Sequence, residues 1–410
     1  MKKLLLVLLI LSLFINHLNA NEKDLQIIQK DKKEYRLLEK ESIQTRQQSQ
    51  KYDWISPIDL SGNIGRNHSF SDENSRNLNN KNTKSASIGF TQSIFESGGI
   101  GFKMDYADNR FKYEMLSWEN QNSQLIYTIY NTLLDIKKLK LEINQNDYRI
   151  VNKDIELIIK KIQYEAGKTD IIELNNAIMS KNLIQKEEIA LKNSLKEKEQ
   201  ELAKYTDLKY DEIEILDFQE TNKEIFLDKN YSILEADAKV EMLNSEYKIK
   251  KSQYLPKLSL SAKASYSSQD EKFNSMINDT NKDDASSSGS LILTMPLYDY
   301  TKSSKIQESK IEVLKQKALV NDLKNETAFE YEQIFTKIDT YLKQNETINK
   351  NIKLYEELIG ANQISSQAGM TSKYDLEILE NTKTINEFDI LINKINILQQ
   401  YAKLYFKIKN

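Results

Sequence analysis

Apolar residues recur at two different periods along this chain, and the changes of period divide it into segments. Tyr331, Ile334, Ile338, Tyr341, Ile348, Ile352, Tyr355 and Ile359 step by threes, fours and sevens, and Ile126, Ile129, Leu133, Ile136, Ile143 and Ile150 do the same. Such spacing lines the side chains along one stripe of a helix, a seam of coiled-coil type. In four shorter segments the period is two. Ile58, Leu60, Gly62 and Ile64 alternate with Asp59, Ser61 and Asn63, and Ala86, Ile88 and Phe90 alternate with Ser87, Gly89 and Thr91. Leu258, Leu260, Ala262, Ala264 and Tyr266 alternate with Lys257, Ser259, Ser261, Lys263 and Ser265. Leu291, Leu293 and Met295 alternate with Ser290, Ile292 and Thr294. Each pattern predicts a strand with one apolar, charge-free face and one polar or small face. The polar stretches Arg66–Lys84 and Ser268–Ser286, 19 residues each, are expected as the loops between paired strands.

Helix breakers follow the same division. All three prolines (Pro57, Pro256, Pro296) and seven of the ten glycines fall in the windows 55–101 and 256–298. From Phe102 to Leu255 the one glycine is Gly167, and from Leu297 to the last residue there are only Gly360 and Gly369. Without glycine or proline to interrupt it, a helix can run very long. The segment Phe102–Tyr164 has 63 residues, about 95 Å at ~1.5 Å per residue; Thr301–Ser365 is similar.

Four alternating strands can lie in a membrane or pack as soluble hairpins on helices of their own chain. For the membrane case geometry adds a condition. Four strands cannot close a barrel, for which about eight are needed, and an open sheet would expose unpaired edges to lipid. Several chains would have to build the barrel together: two give eight strands, three give twelve, and only the larger leaves a wide lumen.

The chain also repeats itself. Ala166-Gly167-Lys168-Thr169, followed by Glu173-Leu174, reappears as Ala368-Gly369-Met370-Thr371, followed by Asp375-Leu376, at an offset of 202. Gln92–Glu96 aligns with Met295–Asp299 at 203, and Pro57 with Pro256 at 199. A repeat of this length implies a duplicated structural unit: helix, hairpin, long helix, turn, returning helix. The expected organisation is a first unit at 21–203 (hairpin 55–97, turn at 167), an equatorial linker at 204–230, and a second unit at 231–410 (hairpin 256–298, turn at 369). Gly167 and Gly369 suit the left-handed position that ends a helix, with Thr169 and Thr371 expected to cap the next one.

Composition narrows the function. The 410 residues include 58 Lys+Arg against 61 Asp+Glu, two histidines and no cysteine. That excludes disulfides, thiolate metal sites and cysteine nucleophiles, and with His17 inside the first 20 residues only His68 is left beyond them, too few for a multi-histidine metal site. The expectation is no catalysis, no cofactor and no metal. A near-neutral balance argues against nucleic acid, which requires a basic field. Lys2 and Lys3 before the apolar run Leu4–Ile15, ending at Leu18-Asn19-Ala20, read as a signal peptide over 1–20. Beyond it no apolar run approaches the ~18 residues of a membrane helix.

With these features together, the chain resembles the TolC family of outer-membrane efflux proteins. The residues that carry the resemblance are Thr91–Glu96 with Phe95, and Pro296-Leu297-Tyr298-Asp299, at the strand-to-helix junctions; Tyr254-Leu255-Pro256-Lys257-Leu258 entering the third strand; and the two turns with Asp375-Leu376. The resemblance implies a mainly α fold with a small β part, assembled as a homotrimer: a twelve-stranded barrel in the outer-membrane lipid, continuous with an α-helical tunnel across the periplasm. It implies a passive exit duct of a tripartite efflux or type I secretion system, working with a periplasmic adaptor and an inner-membrane pump. The adaptor would dock at the helical turns near 160–178 and 362–380, around Gly167, Thr169, Gly369 and Thr371. In the family, acidic residues after the turn glycine line the constricted periplasmic end; by position these are Asp375 and Glu173, with Asp170 a weaker candidate. A second acidic position is Ile378 here, and an arginine found near the turn in some members is Thr371. The alternative is a periplasmic adaptor or a coiled-coil structural protein of an export complex.

Overall fold

The structure, a computed structural model, describes residues 25–69, 79–218, 220–270, 282–367 and 372–409. The signal-peptide segment and the turn residues Gly369 and Thr371 lie outside the described residues. Elements follow in the order α1 (Lys30–Tyr52), β1 (Asp59–Ser69), β2 (Asn79–Phe95), α2 (Gly99–Glu165), α3 (Ile171–Ala203), α4 (Lys223–Asp228), α5 (Tyr231–Ser252), β3 (Lys257–Asp270), β4 (Lys282–Thr294), α6 (Lys302–Gln367) and α7 (Lys373–Lys407). Around the short α4 the same order of helix, two strands, long helix and returning helix occurs twice. α2 has 67 residues and α6 has 66, in line with the lengths that the missing breakers permit. Among the described residues no helix is long and apolar enough to cross a membrane.

The chain divides into two compact units. The first comprises Met1–Lys40, Leu116–Glu235 and Asn321–Asn410. Its core takes residues from both predicted seams: Ile126, Ile129, Leu133 and Ile136 of α2 are buried, and so are Ile334 and Ile338 of α6. Phe226, Leu404 and Ile408 complete one cluster with Ile334 and Ile338. Phe218 stacks edge-on against Tyr130 and Phe406 at centroid distances of 5.8 and 5.7 Å. The segment expected as a linker is therefore anchored: Ile213, Phe218 and Phe226 are buried apolar side chains, each contributing about 1.5–3 kcal/mol on leaving water. Farther along, the seams weaken and polar contacts hold the helices in register. Gln145 Nε2 donates to Ile385 O at 2.9 Å, Asn393 Nδ2 to Asn345 Oδ1 at 2.9 Å, and Gln399 Nε2 to Asp135 Oδ1 at 2.7 Å. Glu330 sits between Lys403, at 2.7 Å, and Lys407. Burial alone would raise its carboxyl, but the two ammonium groups outweigh that and hold it below the ordinary carboxylate value.

The second unit comprises Glu41–Met115 and Ala236–Val320. It contains one antiparallel sheet in the order β1-β2-β3-β4, so β2 pairs with β3 and the two hairpins form a single meander. The strands run farther than the alternation suggests. β1 pairs with β2 out to Ser69↔Asn79 and β3 with β4 out to Gln269↔Lys282, which shortens the 19-residue loops expected over Arg66–Lys84 and Ser268–Ser286. Backbone ladder bonds do not depend on side-chain polarity, so pairing continues through polar residues after the apolar pattern stops.

Candidate functional site

The register sorts the strand residues into two faces. On one, Leu60, Ile88, Ala264 and Ser287 stand in a row, next to the row Gly62, Ala86, Tyr266 and Ala285. Leu260 pairs with Leu291 and Leu258 with Leu293 on this same face. On the other face the row Ser61, Ser87, Ser265 and Ser286 is followed by Asn63, Ser85, Ser267 and Asp284. Hydroxyls hydrogen-bond across the strands there: Ser61 Oγ to Ser87 Oγ at 2.8 Å, Ser265 Oγ to Ser286 Oγ at 2.8 Å, and Thr91 Oγ1 to Ser261 Oγ at 3.1 Å.

Among the described residues the apolar face is largely exposed. Leu60 is 79% exposed and Leu293 71%, and Ile58, Ile64 and Leu291 are also exposed. Hydrating five such side chains instead of burying them forfeits about 1.5–3 kcal/mol each, comparable in sum to the ~5–15 kcal/mol stability of a whole domain. From Leu258 to Tyr266 the apolar stripe covers about 26 Å along the strand at ~3.3 Å per residue. At a tilt of ~40° that is about 20 Å of height, near the ~25 Å apolar band of an outer-membrane barrel. At the helix-proximal end Phe95, Met295, Leu297, Tyr298 and Tyr300 are exposed, Leu297 to 91%. Aromatic and apolar residues in that position match the interfacial girdle of such barrels. β1 and β4 each have one neighbour, so each presents an unpaired backbone edge.

The junction residues are fixed by side chains that satisfy backbone groups. Gln92, a polar residue at the helix-proximal end of the apolar face, folds back: its Oε1 accepts from Ser56 N–H and its Nε2 donates to Trp54 O, both at 2.9 Å. A bulge between Ser93 and Phe95 re-aims the end of β2. Ser97 (φ 51°) and Gly98 (φ 87°) turn the chain through the left-handed region into α2, and Ser97 Oγ donates to Pro256 O at 2.7 Å. A Cβ on Gly99 would stand 2.8 Å from Ser252 Oγ and 3.0 Å from Glu96 Cβ, so a larger residue there must displace these side chains. Burial alone would raise Glu96, yet Lys103 at 3.0 Å, helped by Ser93 and Lys257, holds it below the ordinary carboxylate value. At the other junction, after Pro296, Leu297 and Tyr298, Asp299 Oδ1 accepts from Thr301 N–H and Oγ1–H, both at 2.8 Å, before α6 begins.

The turn between α2 and α3 closes as a Schellman motif. Gly167 has φ +68°; its N–H donates to Tyr164 O at 2.9 Å and that of Lys168 to Gln163 O at 2.8 Å. The cap of α3 is Asp170, not Thr169: its side chain accepts from Glu173 N–H at 2.9 Å. Likewise Ser372, one residue after Thr371, caps α7 by accepting from Tyr374 N–H at 3.2 Å. The helices start one residue later than expected, so extended backbone and a free side-chain oxygen coincide at the following position. Asp170-x-x-Glu173 and Ser372-x-x-Asp375 are capping-box spacings, the signal by which the sequence could have shown these caps. Glu173 reaches across the turn to Lys160 at 2.7 Å; Asp375 lies exposed in the first turn of α7. The structure places Asp170 and Glu173 together at one turn, each with a partner, and Asp375 at the start of α7.

Comparison with known proteins agrees with this geometry. Residues 224–403 match the family model "outer membrane efflux protein". The outer membrane protein VceC of Vibrio cholerae is similar in structure with a TM-score of 0.72 at 12% identity, over 93% of this chain and 94% of that one. The CmeC outer membrane channel of Campylobacter jejuni gives 0.70 at 12% identity (93% and 86%), and the MtrE outer membrane channel of Neisseria gonorrhoeae 0.68 at 11% (94% and 88%). No curated protein sequence matches the chain. Residues 224–403 thus match the outer membrane efflux protein model, in a chain that has the fold of the outer-membrane channels.

Proposed function

We propose that several copies of this chain, three by the family resemblance, join their four-stranded sheets edge to edge as one barrel in the outer membrane. The helices would continue the bore into the periplasm as a passive exit duct. The observation that carries this reading is the sheet: apolar and uncovered on one face, hydroxylated on the other, and open at both edges. Lipid against the first face, water against the second and sister strands at the edges remove all three penalties at once. Apolar side chains left exposed on α3 (Ile172, Leu183, Ile189) and α6 (Leu354, Ile364) give neighbouring copies something to bury. A periplasmic adaptor docking at the turns near Gly167 and Gly369, with an inner-membrane pump behind it, would deliver small toxic compounds or secreted polypeptides. Asp170 and Glu173 are engaged at their turn, so Asp375 is the acid we assign to a periplasmic constriction. Three carboxylates around a narrow bore would attract cations.

The test is fractionation followed by detergent extraction. The duct is expected in the outer membrane as an assembly of three chains; recovery as a soluble periplasmic monomer would reject it.

A further inference from the structure

Near the middle of the polar face one row carries two charges of opposite sign. Asp59, Gly89, Lys263 and Ser288 stand side by side across β1 to β4. The neighbouring rows, Ser61-Ser87-Ser265-Ser286 on one side and Thr91-Ser261-Ser290 on the other, carry no charge. Lys263 is the seventh of the 14 residues of β3, so its row crosses the middle of that strand. Gly89 makes room for it. A Cβ at that position would meet Ala262 O at 3.0 Å and both Cβ and Cγ of Lys263 at 3.3 Å. The lysine stem therefore lies over bare backbone of β2, and the residue is exposed. Among the described residues no carboxylate stands within 4.0 Å of its ammonium, Asp59 included.

We propose that Lys263 is a charge-selectivity determinant inside the barrel, favouring anionic groups on whatever passes, with Asp59 as its opposing charge in the same ring. This rests on the barrel reading above. Closing the barrel from repeated sheets repeats the row once per copy and sets the ammonium groups at one level of a low-dielectric wall, where fixed charge shifts local ion concentration strongly. Asp59 lies two strands away, about 10 Å at ~4.8 Å per strand. That is too far for contact but within about one Debye length at 0.1 M salt. Substituting the two residues should therefore move selectivity in opposite directions. A long lysine stem also reaches farther from the wall than an aspartate, so its loss should dominate.

The chain has no cysteine, so a single introduced one is uniquely addressable. The experiment uses the purified full chain in planar bilayers under a KCl gradient, with water-soluble anionic thiosulfonate as the probe for Lys263→Cys and Leu293→Cys. Lys263→Glu is expected to raise potassium-over-chloride permeability about threefold, Lys263→Gln less, and Asp59→Asn to lower it. Lys263→Cys should react from water and Leu293→Cys should not. A conducting Lys263→Glu channel with an unchanged permeability ratio, or a Lys263→Cys that stays inert in a conducting channel, overturns the assignment and leaves the barrel standing. Equal labelling of both cysteines in a chain that does not conduct overturns the barrel reading, and the lysine's role with it. If Lys263→Glu fails to insert, the ratio in Lys263→Gln decides.

Discussion

The four-stranded sheet and the α2–α3 turn use similar polar residues to opposite ends. At the turn, polar groups are consumed locally: Gly167 closes a Schellman motif, Asp170 caps α3 and Glu173 holds Lys160. Those polar groups already have partners, and the side chains that stay exposed there include the apolar Ile171 and Ile172. In the sheet, hydroxyls pair across strands on one face, while the other face and both edges are left without cover. A carboxylate near a helix start is therefore weak evidence for a pore, because the helix end already accounts for it. An uncovered apolar face has no such local explanation. The functional argument rests on the sheet.

That contrast can be broken most forcefully at Leu60. Leu60→Arg places a charge on the apolar face at an expected cost of about 2–4 kcal/mol per chain near the bilayer midplane and should abolish assembly in the outer membrane. Ser61→Arg, one residue on and facing the other way, should still assemble; fractionation and native electrophoresis distinguish them, and equal behaviour would refute the two-faced sheet. In the helical unit, Glu330→Gln leaves Lys403 and Lys407 without their carboxylate and should cost about 1–3 kcal/mol in thermal unfolding. Because the folded state holds Glu330 below its ordinary value, its contribution is present above that value and is lost as pH falls through the lowered one. Acid sensitivity should accordingly be smaller in Glu330→Gln. At the turn, Asp170→Ala should cost about 1 kcal/mol through loss of the cap, and Asp170→Asn should restore it. Failure of asparagine to rescue would mean that the carboxylate charge itself matters there. The smallest stability effect is expected for Asp375→Asn, within about 0.5 kcal/mol as an exposed substitution, with reduced cation preference in bilayer recordings. Unchanged selectivity would make Asp375 a solvated helix-start carboxylate.

Helix lengths and strand faces were legible because each follows from one local property. Missing breakers allowed α2 and α6, and period-two alternation put Leu60, Ile88 and Ala264 on one face. The pairing of β2 with β3 was not legible, since no local pattern says which strands of two distant hairpins become neighbours. Loop lengths over Arg66–Lys84 and Ser268–Ser286 were overestimated because alternation reports burial, whereas pairing needs only backbone. The caps slipped by one residue from Thr169 to Asp170, although the capping-box spacing to Glu173 was present in the sequence. The chemistry of Lys263 is not legible in the sequence, because its meaning depends on Gly89 across the sheet, a contact visible only once the register is known.

The central claim is that β1 of one chain meets β4 of another. Within one chain these edges are three strand spacings apart, about 14 Å at ~4.8 Å each, beyond the ~4.4–6.8 Å Cα separation that a disulfide spans. Pairing Ser61→Cys with a cysteine at position 284, 286, 288 or 290 in the same chain scans the unknown register. Under oxidation in outer membranes, at least one pair should give covalent species of two and three chains and none larger. If every pair yields only single chains while the protein sits in the membrane, the shared barrel is wrong.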